Sequence, residues 1–160
     1  MQTKSVNSDS GLKLFFYNSD SEISEIPTTE IVDFLYYHLE QYGDPKHYIE
    51  ASIQYALAKD QGKGGFVLTS RVNNKIVGAV VVNETGMKGF IPENILVYIA
   101  VDASQRGKGI GKSLMKEALS KAHGTVALHV EPDNPARKLY ENLGFTHKYL
   151  EMRYQPEDLK

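Results

Sequence analysis

One stretch constrains this chain more than any other: Gln105-Arg106-Gly107-Lys108-Gly109-Ile110-Gly111-Lys112. The apolar run Ile95-Leu96-Val97-Tyr98-Ile99-Ala100-Val101 leads into it, and Leu114, Met115, Ala118, Leu119 and Ala122 follow at helical spacing. A strand, a glycine turn and a helix together make an anion site. Glycine lets the backbone approach a ligand closely, and the first helical turn offers unpaired N–H groups at the positive end of the dipole. Arg106, Lys108 and Lys112 add cations. A dinucleotide fingerprint needs G-x-G-x-x-G, which the spacing Gly107-x-Gly109-x-Gly111 does not meet. A P-loop needs a glycine where Arg106 stands, and starting from Gly107 leaves that loop one residue short. The pattern present is R-x-x-G-x-G, at Arg106, Gly109 and Gly111. Read locally, it is also a glycine-rich turn with solvated lysines.

The order of elements around this turn gives the fold class. Leu12–Tyr17 reads as a first strand after a tail at 1–10. Thr28 or Thr29 can cap a helix carrying Ile31, Phe34, Leu35, His38 and Leu39 on one stripe, stopped by Tyr42-Gly43-Asp44-Pro45. A second helix carries Tyr48, Ser52, Tyr55 and Ala56 and ends near Lys59–Gly65. Strands Phe66–Arg71 and Lys75–Val82 form a hairpin about Asn73-Asn74. After a loop over 83–93 come the strand Ile95–Val101, a helix over Gly111–Ala122, a strand at Thr125–Val130, a short helix at Pro135–Leu143 and an extended segment over Thr146–Tyr154. This is an α/β (α+β) chain with a mixed sheet and helices on its faces. Its 160 residues suit one domain over 11–160. There is no cysteine, which excludes disulfides and thiolate chemistry. There is no apolar run long enough for a membrane span and no apolar segment at the N-terminus, so the expected location is cytoplasmic. A net charge of −2 argues against a nucleic-acid partner.

A second motif lies one strand further on: Leu128-x-Val130-x-x-x-Asn134-x-Ala136-x-x-Leu139-Tyr140-Glu141-x-Leu143-Gly144-Phe145. Asn134 before Pro135 is a natural helix cap, Gly144 a left-handed stop, and Tyr140 a residue on the core edge of the helix. A capped helix alone does not account for this string following an R-x-x-G-x-G loop. Together the two segments, from Ile95 to Phe145, resemble the paired cofactor-binding and catalytic segments of the GNAT superfamily of acyl-CoA-dependent N-acyltransferases.

That resemblance implies a mostly antiparallel mixed sheet splayed between its fourth and fifth strands, with acetyl-CoA in the gap. It places the pantetheine arm against the backbone of Ile99 and Val101. The pyrophosphate then falls on the N–H groups of Arg106, Gly107, Lys108, Gly109, Ile110, Gly111 and Lys112. Asn134 corresponds to a pantetheine contact, a role compatible with capping. Tyr140 corresponds to the general acid, whose phenol, of ordinary pKa about 10, hydrogen-bonds or protonates the departing thiolate.

The chain departs from the pattern at the base. Many members carry a glutamate in the strand before the loop, but the matching positions are Ile95 and Val97. Glu93 precedes that strand, Tyr98 is expected on the face opposite Ile95 and Val97, and Glu131 and His129 follow on the next strand. Glu131, His129 and Tyr98 are the candidate proton routes, beside water. The acceptor is expected to be a primary amine of a small molecule or peptide, near Tyr36, Tyr37, Glu40, Tyr42 and Tyr48, with Glu40, Asp44 and Glu50 as groups that favour a cation. The short segment after Phe145 leaves room for completion by a second copy, as in a homodimer. Two other readings stay open: a CoA-binding module without turnover, and a nucleotide-phosphate binder using Gly111-Lys112-Ser113.

Overall fold

The computed structural model describes residues 2–5, 11–58 and 63–159. The chain divides into two compact units, Met1–Leu128 and His129–Lys160. The first unit holds one sheet of six strands in the order β1-β2-β3-β4-β5-β6. These are β1 (Gln2–Ser5), β2 (Lys13–Tyr17), β3 (Gly65–Val72), β4 (Lys75–Glu84), β5 (Asn94–Val101) and β6 (Val126–Leu128). All neighbours are antiparallel except β5 and β6, which are parallel. The sheet is therefore mixed and mostly antiparallel, as expected, with its parallel pair one number later because of β1. Four residues of the expected tail form that strand, pairing Gln2–Ser5 with Lys13–Phe16. Their composition is polar, so they carry no apolar alternation to announce a strand. The other residues of 1–10 lie outside the described residues.

Three helices belong to this unit: α1 (Thr28–His38), α2 (Lys46–Ala56) and α3 (Ile110–Lys121). Neither Thr28 nor Thr29 caps α1; Pro27 stands at the cap position, without a side-chain cap bond. Ile31, Val32, Phe34 and Leu35 of α1 and Ile49, Ile53 and Ala56 of α2 close over Val67, Ala79, Val81, Tyr98 and Ala100 of the sheet. On the other sheet face α3 comes so close to β4 that a Cβ on Gly78 would lie 2.5 Å from Leu114 Cδ1 and 3.2 Å from Ile110 Cγ2. Helices thus cover both faces. The β3–β4 hairpin turns at Asn73 (φ 50°) and Asn74 (φ 64°), the two left-handed residues that a tight hairpin turn needs.

The second unit holds α4 (Ala136–Asn142). The Asn134 carboxamide oxygen accepts the Ala136 N–H at 2.9 Å, Gly144 has φ 101°, and the Phe145 N–H bonds the Tyr140 carbonyl at 3.0 Å. Capping and termination follow the local signals. The segment expected to be extended over Thr146–Tyr154 enters no strand pairing among the described residues.

Candidate active site

The site starts where β5 loses a neighbour. Pairing with β6 is confined to Asn94↔Val126, Ile95↔Ala127 and Leu96↔Leu128. Asn94 locks that end, its buried side chain donating to the His123 carbonyl at 2.8 Å. Glu93 braces it too, accepting the Thr125 N–H at 2.6 Å and the Gly89 N–H at 3.2 Å. These bonds, Thr125 first, hold the Glu93 carboxyl below the ordinary range, and both of its oxygens serve as acceptors that brace this end of the strand. From Val97 to Val101 the edge of β5 facing away from β4 has no strand partner among the described residues. The Asp102 N–H bonds the Val77 carbonyl on β4 at 2.9 Å. Backbone direction alternates along an antiparallel strand, so Ala100 and Tyr98 also face β4 and the N–H and C=O groups of Ile99 and Val101 face the open edge.

The open edge runs into the glycine loop. Gly107 (φ 82°) and Gly109 (φ 79°) are left-handed, and a Cβ at either would meet nothing within 4 Å. This is an open cradle of backbone. The first bond of the following helix is Ser113 N–H to Gly109 O at 3.0 Å, so the N–H groups up to Lys112 precede the helical ladder. Loop shape and free donors fit a pyrophosphate. The Arg106 guanidinium does not turn into this cradle. It reaches back to α1, 3.2 Å from the His38 carbonyl and 3.4 Å from Glu40 Oε1. Beside it, burial lowers the His38 pKa, and the His38 ring stands 3.9 Å from Asp102. Lys108 bonds Gln105 at 3.0 Å, while Lys112 is exposed on the first turn of α3.

Tyr98 is not where simple alternation puts it. The register runs Asn83↔Ile95, Val82↔Leu96 and then Val81↔Tyr98, which leaves Val97 as the extra residue of a β-bulge. Opposed residues share a face, and Asn83 and Val81 are two apart, so Tyr98 lies on the same face as Ile95. Val97 packs on that face as well, beside α1 and α2. The expectation of opposite faces is thus overturned by the bulge. The Tyr98 ring is 8% exposed, and its hydroxyl donates to Asp44 Oδ2 at 2.5 Å. Burial first, then the bond to Asp44, pushes its pKa up. At neutral pH the phenol keeps its proton and acts as a donor.

In the second unit Tyr140 is 7% exposed, and its ring centroid is 6.1 Å from that of Phe145. Burial pushes its pKa up to about 12. Its hydroxyl has no hydrogen-bond partner among the described residues. His129 and Glu131 are exposed, and the Glu131 carbonyl accepts the Asn134 N–H at 3.0 Å. No helix among the described residues is long and apolar enough to cross a membrane.

A strand edge left open at a bulge, running into a glycine cradle at a helix N-terminus and followed by the Asn134–Phe145 segment, defines the class of protein. The chain matches the Acetyltransferase (GNAT) family over residues 28–145, and it belongs to that family. Among curated relatives, N-alpha-acetyltransferase 30 of Xenopus laevis is 38% identical over 88 residues, 52% of this chain and 32% of its own length. Mycothiol acetyltransferase of Catenulispora acidiphila is 35% identical over 69 residues, 40% of this chain and 22% of its own length. The chain thus matches about a third or less of the length of these relatives. Among solved structures, the aminoglycoside N-acetyltransferase AAC(6')-Iy in complex with CoA superposes with a TM-score of 0.63 at 17% identity, covering 94% of this chain and 99% of that one. At that identity the likeness is one of fold.

Proposed function

We propose that this chain is an N-acetyltransferase that moves the acetyl group of acetyl-CoA to a primary amine of a small molecule or peptide, by direct attack in a ternary complex. The observation that carries this reading is the free edge of β5, with Ile99 and Val101 facing outward, leading into the open cradle at Gly107 and Gly109. The edge offers strand-like pairing to the pantetheine amides. The loop N–H groups, with Lys108 and Lys112 near them, offer bonds to the pyrophosphate. In this reading Arg106 holds the loop in place, its N–H bonding the Ala103 carbonyl at 3.5 Å and its guanidinium reaching the His38 carbonyl, and Asn134 adds a pantetheine contact alongside its cap.

Acetyl-CoA supplies an activated thioester. The amine nitrogen bonds to the acetyl carbon, the C–S bond breaks, and the electron pair goes to sulfur. Tyr140 donates to that sulfur. Its pKa of about 12 lies above the ~8.5 of an ordinary thiol, so full proton transfer is uphill. Its contribution is therefore a hydrogen bond that strengthens as thiolate charge builds. Glu131, or water, carries away the ammonium proton. Tyr98 enters as a fixed donor to Asp44.

Tyr140→Phe tests the assignment. Ring and packing are kept, so acetyl-CoA binding by calorimetry should stay at the wild-type level, while thiol release across an amine library falls about 10²-fold. Wild-type turnover in Tyr140→Phe would remove the acid role. A second reading, CoA binding without turnover, is favoured by the apolar residues at Ile95 and Val97. It is supported if wild-type protein binds acetyl-CoA yet releases no thiol with any amine.

A further inference from the structure

We infer that Asp44, held in place by Tyr98, is the group that docks the ammonium of the acceptor, and that it selects cationic amines. This deepens the acetyltransferase reading and rests on it. The bulge at Val97 turns Tyr98 toward α1 and α2, two residues past the last β5–β6 pair. Its hydroxyl reaches the connection between those helices and bonds one oxygen of Asp44. The cofactor loop opens α3, which packs on the other sheet face. An acetyl group lying in the gap beside β5 would therefore be open to attack from the α1/α2 face, where Asp44 stands.

The surrounding charges single out Asp44. Of the three acidic residues around the α1–α2 connection, Glu40 lies 3.4 Å from the Arg106 guanidinium, and Glu50 accepts from Gln54 at 3.5 Å. The nearest lysine in sequence, Lys46, pairs with Asp33 at 2.9 Å. Among the described residues no Lys, Arg or His lies within ion-pair distance of Asp44. Its carboxylate is exposed, yet one of its oxygens is fixed by a buried phenol. Fixing a side chain beforehand lowers the ordering cost of binding, and a carboxylate without an internal cation is complementary to an incoming one. Asp44 touches the acceptor in this scheme, and Tyr98 is a positioning residue acting through it.

The test compares two nucleophiles in thiol release from acetyl-CoA. One is the fastest substrate among spermidine, an aminoglycoside and a short peptide with a free N-terminus. The other is hydroxylamine, which is uncharged at neutral pH. Asn at position 44 can still accept the Tyr98 hydroxyl, so Asp44→Asn should fold, as its melting temperature will report. The expected result for Asp44→Asn is a loss in kcat/KM of about tenfold or more for the cationic amine, mainly in KM, with hydroxylamine turnover unchanged. Asp44→Glu should recover part of the loss. Tyr98→Phe should raise KM for the cationic amine in the same direction but less. An equal loss for both nucleophiles, or no loss for either, overturns this inference alone if wild-type enzyme turns over. Bound acetyl-CoA with no thiol release from wild type overturns the inference and the functional reading together.

Discussion

Gly78→Ala tests how closely α3, and with it the cofactor loop, is seated on the sheet. A Cβ at Gly78 would stand 2.5 Å from Leu114 Cδ1, 2.6 Å from Ser70 Oγ and 3.2 Å from Ile110 Cγ2. None of these can swing into solvent, because Leu114 and Ser70 are fully buried and Ile110 is 6% exposed. Overpacking of this kind costs about 1–3 kcal/mol. The smaller unfolded-state entropy of alanine returns about 0.4–1 kcal/mol of that. The net expectation is about 1–2 kcal/mol, which for a chain of this size lowers the melting temperature by roughly 2–8 °C. Among the described residues Ser70 Oγ is buried without a partner, so Ser70→Ala removes one of the colliding atoms at little cost. Adding Ser70→Ala to Gly78→Ala should restore part of the loss, a coupling of about 0.5 kcal/mol or more. Differential scanning calorimetry of the four proteins reads it directly. A Gly78→Ala protein that melts at or above the wild-type temperature, or a double mutant that is merely additive, refutes the packing argument.

Two further outcomes follow from the site. Gly109→Val puts its Cβ in open space but a β-branched residue at φ 79°, and it fills the cradle; acetyl-CoA affinity by calorimetry should fall about tenfold or more, and unchanged affinity removes the pyrophosphate assignment. Glu93→Gln removes a carboxylate whose pKa is depressed in the folded state, chiefly by the Thr125 N–H. The stabilisation from Glu93 is complete above its ordinary value of 4.5 and is lost as pH falls through the lower folded value. Melting temperature against pH should therefore show a shallower acid limb in Glu93→Gln, and parallel curves would rule this out.

The parts of this fold that were legible in the sequence are those written in local signals. Asn73-Asn74 turns the hairpin because both residues tolerate positive φ, and Gly107 and Gly109 sit in the loop for the same reason. Asn134 and Gly144 bound α4 as capping chemistry dictates. What escaped depends on partners distant in the chain. Gly78 is small because of Leu114, and no window around Gly78 contains that helix. The polar strand Gln2–Ser5 exists because β2 offers it an edge. Arg106 reads as a loop cation, yet the end of α1 draws its guanidinium away.

The bulge had the largest consequence for the site. Alternation along β5 separates Tyr98 from Ile95 and Val97, and only the register against β4 shows that one inserted residue brings all three to one face. The family pattern would put a carboxylate at Ile95 or Val97, and here both side chains are apolar. The polar atom that β5 presents on that face is instead the Tyr98 hydroxyl, and the negative charge beside it arrives on Asp44, 54 residues earlier in the chain. If Asp44 docks the acceptor, a charge missing from the strand is supplied by the connection between α1 and α2. The strand can then stay apolar against the core while the charge remains at the surface, where its desolvation cost is small.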